Sequence, residues 1–269
     1  MSRLLLGLTA LSVVLPLVWI LLCSVRPGPD VFLDPLGWPQ HWTLENYRQA
    51  LALGGFSQYF FNSLWVTLAA TVLTTLTGAS LAFCLARFRL PAHGLAQAAL
   101  ATGLVLPLQL VVLPLFFWLK QLGLIGTHSG LILVYTASGI PYAVLLLRGF
   151  FASLPQELFE AALLDGCTPR QAFWRIFLPL ARPGLSTVGL FTAVSIYNEY
   201  FLAFILLAGQ KGKGTLPLGL ANLTIVSQYH ADFGQLYAGL VLVMLPSLLL
   251  YAALHRHLLA GLAQGAVKG

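Results

Sequence analysis

Two places in this sequence hold carboxylates in unusual surroundings. Glu199, with Asn198 beside it, interrupts an apolar run from Pro183 to Ala208. An ionisable group in such a stretch is costly unless it faces a wet cavity or a partner. On a straight helix it would lie roughly 24 Å along from Pro183, in the outer half of a membrane. Two readings stay open: Glu199 lines a solute path, or its hydrogen bond ties this span to a neighbour. Asn198 points about 100° away, so the two need not share a ligand. The second place is Ser153 to Gly184, a long stretch too polar for a membrane core, which carries Glu157, Glu160 and Asp165.

Other chemistry is hard to build from this chain. No paired acids, and no nucleophile with a nearby base, stand out, so the sequence does not read as an enzyme. His255 and His257 are two apart on a helix and point to different faces, a poor metal pair that reads better as basic anchors at the inner interface. The fragment from Gly209 to Thr215 superficially resembles a phosphate-binding loop, but Gly214 rather than lysine precedes Thr215 and no strand comes before it. No nucleotide, metal or other cofactor site is therefore expected in this chain. Cys23, Cys84 and Cys167 are an odd number without a disulfide framework, and read as small packing residues.

The elements that must position these groups follow from composition. With 58% hydrophobic and 8% charged residues, the chain carries about a third of the usual charge of a soluble domain and reads as a membrane protein. In such a chain a formal charge of +6 reports orientation before it reports nucleic acid, and no nucleic-acid partner is expected. The first apolar run, Leu4 to Cys23, is long enough to cross a bilayer and reads as an uncleaved first span. Further spans are expected at about Phe61–Ala86, Leu95–Trp118, Ser129–Leu147, Pro183–Ala208 and Leu236–Leu254. The fold class is thus all-α, a polytopic membrane protein of six transmembrane helices with a helical cytoplasmic loop. Residues 1–60 would form the first helix and outer loop, and residues 61–269 a five-helix core.

Six spans put both termini on one side. With the termini inside, Arg3, Arg87, Arg89, Arg148, Arg170, Arg175, Arg182, Arg256 and Lys268 are cytoplasmic. Arg26, Arg48, Lys120, Lys211 and Lys213 are then outside, and the imbalance favours this orientation. It places the Ser153 to Gly184 loop in the cytoplasm.

Within that loop, Ser153 and Gln156 have the spacing of a capping box, with Pro155 in the first turn. Gly166 is suited to stop the helix in a left-handed cap. Thr168, Pro169 and Gln171 repeat the start signal, so a second helix should run towards Pro179. The first helix has a narrow polar stripe of Gln156, Glu157 and Glu160 on an otherwise apolar surface, which calls for packing on nearly every side. Ala161 and Ala162 leave room for another backbone, and Glu160 offers acceptor oxygens beside the gap. The segment reads as a helix for docking another protein or, alternatively, as a loop folded back on the membrane interface.

These residues also carry a resemblance. Glu160-Ala161-Ala162, Asp165-Gly166, Phe173, Ile176, Leu178-Pro179 and Pro183 match in order and spacing the cytoplasmic loop of the membrane (permease) subunits of binding-protein-dependent ABC importers. Tyr197-Asn198-Glu199-Tyr200 and Thr215-Leu216-Pro217-Leu218-Gly219-Leu220 look like segments of the carbohydrate-uptake branch, in particular the smaller maltose-type permease. Tyr197 stands where that branch usually has tryptophan. The resemblance implies a second permease subunit, two ATP-binding subunits that carry the ATP and Mg, an extracytoplasmic solute-binding protein and a prokaryotic inner membrane. It further implies ATPase coupling through Glu160, Ala161, Ala162, Asp165 and Gly166; because in the maltose-type pair the sugar is held mainly by the other permease, it leaves Asn198 and Glu199 as a possible substrate path beside the packing alternative. The expected cargo is a sugar or sugar-like solute. The alternatives are another solute, such as a glycerol phosphate or a polyamine, or a self-sufficient secondary transporter.

Around this core, Pro107 and Pro114 should kink the third span. Thr67, Thr71, Thr74, Thr75, Thr77, Gly78 and Ser80 should let the second span pack closely. In the outer loop from Arg26 to Tyr59, Pro35, Gly37 and Pro39 forbid a regular element over their own part, Glu45–Leu53 reads as a short surface helix, and Trp38 and Trp42 suit an interface. The second outer loop, Gly209 to Gln235, reads as flexible at Gly212, Gly214 and Gly219.

Overall fold

The computed structural model describes residues 2–52, 55–88, 91–230 and 233–266, with side chains at 4–52, 55–88, 91–225, 227–229 and 233–252. The side chains of Arg3, Arg89, Asp232, His255, Arg256, His257 and Lys268 lie outside the described residues. In chain order the helices are α1 (Ser2–Ser24), α2 (Gly28–Leu33), α3 (Glu45–Ala52), α4 (Phe56–Arg87), α5 (His93–Val105), α6 (Leu108–Gln121) and α7 (His128–Ser153). They continue with α8 (Gln156–Leu164), α9 (Pro169–Leu180), α10 (Arg182–Tyr197), α11 (Phe201–Leu207), α12 (Leu216–His230) and α13 (Gly234–Ala266). Among the described residues there is no strand.

Four stretches are long and apolar enough to cross a membrane as single helices: Leu4–Ser24, Phe56–Arg87, His128–Ser153 and Gly234–Ala252. Two bent pairs, α5 with α6 and α9 with α10, raise the count to six only if each pair is one span. The third expected span is therefore broken rather than kinked, with 107° between its halves. The break falls at Pro107, which pushes Leu106 into extended backbone at ψ 119. Pro114 stays inside α6. The fifth expected span is interrupted too, because α10 ends at Tyr197 and α11 begins at Phe201.

Two compact units emerge. The second comprises residues 64–209 and 251–269. Within it α7 packs against α5, α10 and α11. Gly78 shows why α4 and α7 lie so close: a Cβ there would come within 2.6 Å of Ala143 Cβ. A small residue is what such a helix crossing requires.

The first unit comprises residues 1–63 and 210–250. Between α1 and α4 no regular element covers Pro35, Gly37 and Pro39, as their types require. The short helix expected from Glu45 is present as α3, and α2 was not foreseen. Arg26, read from sequence as an outer cation, is only 4% exposed. Its guanidinium donates to the carbonyls of Asp30, Asp34 and Gly37. Asn46 Nδ2 donates to the carbonyls of Ser24 and Arg26, satisfying acceptors at the end of α1. Trp38 and Trp42 are exposed, as interfacial residues would be.

The segment from Gly209 to Gln235, read from sequence as a flexible loop, departs from expectation, since α12 occupies much of it. Ser63 Oγ accepts from the Leu216 N–H at 2.7 Å, capping a donor that the first turn of α12 cannot satisfy itself. Asn62 Nδ2 donates to the carbonyls of Gly212 and Gly214, which pins the segment expected to be loose.

Candidate functional site

The polar stretch after α7 folds as a helical hairpin. Its first start signal was misread: Ser153 is the last residue of α7, and its Oγ donates to the Phe150 carbonyl. The reason is Pro155, which forces Leu154 into extended backbone, so the chain breaks there and α8 begins at Gln156. The stop signal holds. Gly166 has φ +80, and its N–H donates to the Leu163 carbonyl while that of Cys167 donates to the Ala162 carbonyl. This is the paired-bond cap that a left-handed glycine permits. The second start holds as well, because Thr168 and Gln171 exchange both bonds of a capping box.

Beyond that cap α9 is continuous, but Phe173–Phe177 forms a π turn. Pro179 follows at once. Its ring would crowd the carbonyl four residues back in a tight helix, and a widened turn accommodates it. The chain then bends by 77° into α10, which begins at Arg182.

The faces of α8 divide cleanly. Phe159 and Ala162 are buried, and Leu158 is half-buried. They pack into a cluster with Phe83, Phe151, Phe173 and Phe177, in which the Phe83 ring centroid lies 5.1–5.9 Å from those of Phe151, Phe159, Phe173 and Phe177. The opposite face shows Gln156, Glu157, Glu160, Ala161, Leu163, Leu164 and Asp165 to the exterior. Leu164 is 89% exposed, a large apolar residue on a helix already packed on its other side. The two alanines therefore part company: Ala162 fits its own chain, while Ala161 lies open beside Glu160. Asp165 is the C-cap residue just beyond the helix, with its side chain exposed.

Glu199 and Asn198 lie at the interruption between α10 and α11, not on a continuous helix. Glu199 Oε2 accepts a 2.6 Å hydrogen bond from the Tyr135 hydroxyl on α7. Both carboxylate oxygens also accept from the N–H of Leu202, and Oε2 from that of Ala203. A carboxylate at the start of α11 satisfies donors the helix cannot, and it meets the favourable end of the helix dipole. Asn198 is exposed and donates to the Val194 carbonyl. Tyr135 was missed from sequence, since nothing local links residues so far apart. Among the described residues no group of three His, Cys, Asp or Glu could hold a metal.

The chain is thus helical, with helices long and apolar enough to cross a membrane, and its helical hairpin sinks one face of α8 in its own bundle while the other lies exposed. The chain belongs to the family of binding-protein-dependent transport system inner membrane components, whose model matches residues 75–264. It is 36% identical over 267 residues to the diacetylchitobiose uptake system permease protein NgcG of Streptomyces coelicolor, covering 99% of this chain and 88% of that protein. It is 35% identical over 255 residues to the trehalose transport system permease protein SugB of Mycobacterium tuberculosis, covering 95% and 92%. The fold resembles a crystal structure of a bacterial ABC transporter involved in the import of the acidic polysaccharide alginate, with a TM-score of 0.78 and 22% identity over 95% of this chain and 94% of that one. The chain is a permease subunit of an ABC importer.

Proposed function

We propose that this permease forms, with a second permease subunit, the translocation path for a sugar or sugar-like solute, driven by two separate ATP-binding subunits, and that α8 is where an ATP-binding subunit docks on this chain. The division of α8 carries this reading: Phe159 and Ala162 anchor the helix, leaving Glu160, Ala161, Leu163 and Leu164 as a ready contact surface. Glu160 would pair with a basic residue of the ATPase, Ala161 would let it approach, and Gly166 with Asp165 would set the turn. ATP and Mg²⁺ belong to those partner subunits. A solute-binding protein would deliver cargo at the outer face, with both termini of this chain in the cytoplasm.

The names of the relatives, uptake systems for diacetylchitobiose and trehalose, support a carbohydrate cargo. Asn198 and Glu199 are assigned to the solute path at the helix interruption. Non-helical backbone at membrane depth is tolerated where it is buried in protein or lines a water-filled cavity. Glu199 would hold the break open in shape, and exposed Asn198 would face the passage.

The test is to tag the chain, extract it gently from its native membrane and identify its companions by mass spectrometry. Recovery of an ATPase, a second permease and a binding protein whose thermal stability rises with a disaccharide from a panel is expected. Recovery of this chain alone, under conditions that preserve a known importer, would overturn the reading.

A further inference from the structure

Arg87 ends α4, and its guanidinium reaches three other segments at once. Nη1 donates to Gln156 Oε1, at the first residue of α8, over 2.9 Å. Nη2 donates to the carbonyl of Phe151 at 2.7 Å and to that of Leu154 at 2.9 Å. These two acceptors close the last turn of α7 and the link into α8, where a helix leaves carbonyls without partners. The Arg87 Cζ also lies 4.8 Å from the centre of the Phe177 ring, in the π turn of α9. Phe83, one turn earlier on α4, is the hub of the aromatic cluster beneath the same hairpin. The last turn of α4 is thus the place where α7, α8 and α9 are fastened together.

We infer that Arg87 is the positioning residue that makes α8 and the C-terminal ends of α4 and α7 move as one body, so that displacement of α8 is carried into the membrane helices. This rests on the reading of α8 as the ATPase-docking helix. The function needs arginine in particular. Its planar fork serves acceptors in several directions while its face lies on an aromatic ring, and a lysine offers a point charge without that geometry.

Two native thiols bracket the joint: Cys167 follows the α8 cap, and Cys84 lies on α4 one turn before Arg87, both half-buried. The full complex, reconstituted in proteoliposomes, is treated with a maleimide without nucleotide and after trapping with ATP and vanadate. Mass spectrometry then gives the modification rate of each cysteine peptide. In the wild type both rates should change on trapping by about fivefold, the low end of ordinary coupling between sites. In Arg87→Lys and Arg87→Met the Cys167 change should persist while the Cys84 change is lost. Gln156→Ala, which spares the bonds to α7, should weaken the Cys84 change and serves if the Arg87 variants do not assemble. A Cys84 change that survives in all three variants would overturn the inference. So would loss of both changes with the ATPase still bound, which would make Arg87 only a folding residue. Failure of the wild-type chain to hold an ATPase, or of its Cys167 to respond at all, would instead overturn the docking assignment of α8, and the inference with it.

Discussion

Tyr135 and Glu199 lie 64 residues apart in the chain, and the tyrosine hydroxyl donates to the carboxylate at 2.6 Å. The bond joins α7 to the interruption between α10 and α11, and the same carboxylate caps the first turn of α11. One side chain thus ties the break to α7 and caps the helix that follows it, where a continuous helix would otherwise satisfy the backbone.

Glu199→Ala should destabilise the subunit by about 1–3 kcal/mol, because it leaves the buried Tyr135 hydroxyl without its acceptor, and Tyr135→Phe should cost less, because Glu199 keeps its bonds from the Leu202 and Ala203 N–H groups. The double variant should lose less than the sum of the two, as residues sharing one bond do. Denaturation in mixed detergent micelles, followed by tryptophan fluorescence, measures this. Strict additivity would remove the bond from the account of this break.

Neighbouring alanines on α8 should separate folding from coupling. Ala162 is 4% exposed within its own cluster, so Ala162→Leu overpacks it at a cost of about 1–3 kcal/mol and lowers the amount of folded subunit. Ala161→Leu faces outwards and should leave stability within about 0.5 kcal/mol of wild type while reducing ATP-driven uptake. Glu160→Ala should behave like Ala161→Leu. Equal loss of folded protein in all three would argue against a docking face.

Much of this arrangement was legible in the residues, for local reasons. The Thr168–Gln171 capping box and the Gly166 stop are short-range chemistry, and both appear where the sequence put them. The Ser153 start failed because Ser153 satisfied the end of the previous helix, a competition that spacing alone does not reveal. The break at Asn198 to Tyr200 was illegible because Pro183 to Ala208 is apolar enough to read as one span despite Asn198 and Glu199, and what helps to stabilise the interruption is Tyr135 on another helix. Arg26 and Arg87 were both counted as charges that report topology. Their actual partners, carbonyls of distant loops and helix ends, exist only once the chain is folded. α12 was hidden for the same reason, since Ser63 supplies its cap from far away in sequence.

Gly166 offers a test of backbone alone, because a Cβ there would meet no atom within 4 Å. At φ +80 an L side chain costs about 1–2 kcal/mol, and asparagine tolerates that region better than alanine does. Uptake by Gly166→Asn should therefore exceed that by Gly166→Ala, and Gly166→Pro should abolish it. Equal uptake by all three would show that the turn can be rebuilt in another conformation.

The α4–α7 crossing at Gly78 should be limited by space, not by chemistry. Gly78→Ala brings a methyl within 2.6 Å of Ala143 Cβ and should cost about 1–3 kcal/mol by overpacking. Ala143→Gly in the same chain removes the opposing methyl and should recover much of the loss in detergent melting temperature. A Gly78→Ala subunit as stable as wild type would mean the two helices separate freely at this point.

Orientation can be read from a native thiol. Cys167 is half-buried immediately after the α8 cap, so a reagent that reaches it reaches the side on which an ATPase must bind. A membrane-impermeant maleimide should leave Cys167 unmodified in intact spheroplasts and modify it in inside-out vesicles, with Cys23, buried at the end of α1, protected in both. The excess of basic residues on that side predicts this direction. The opposite pattern would put α8 outside the cell, where no ATP-hydrolysing partner could reach Glu160, and would return the exposed face of α8 to the reading of a helix lying on the membrane interface.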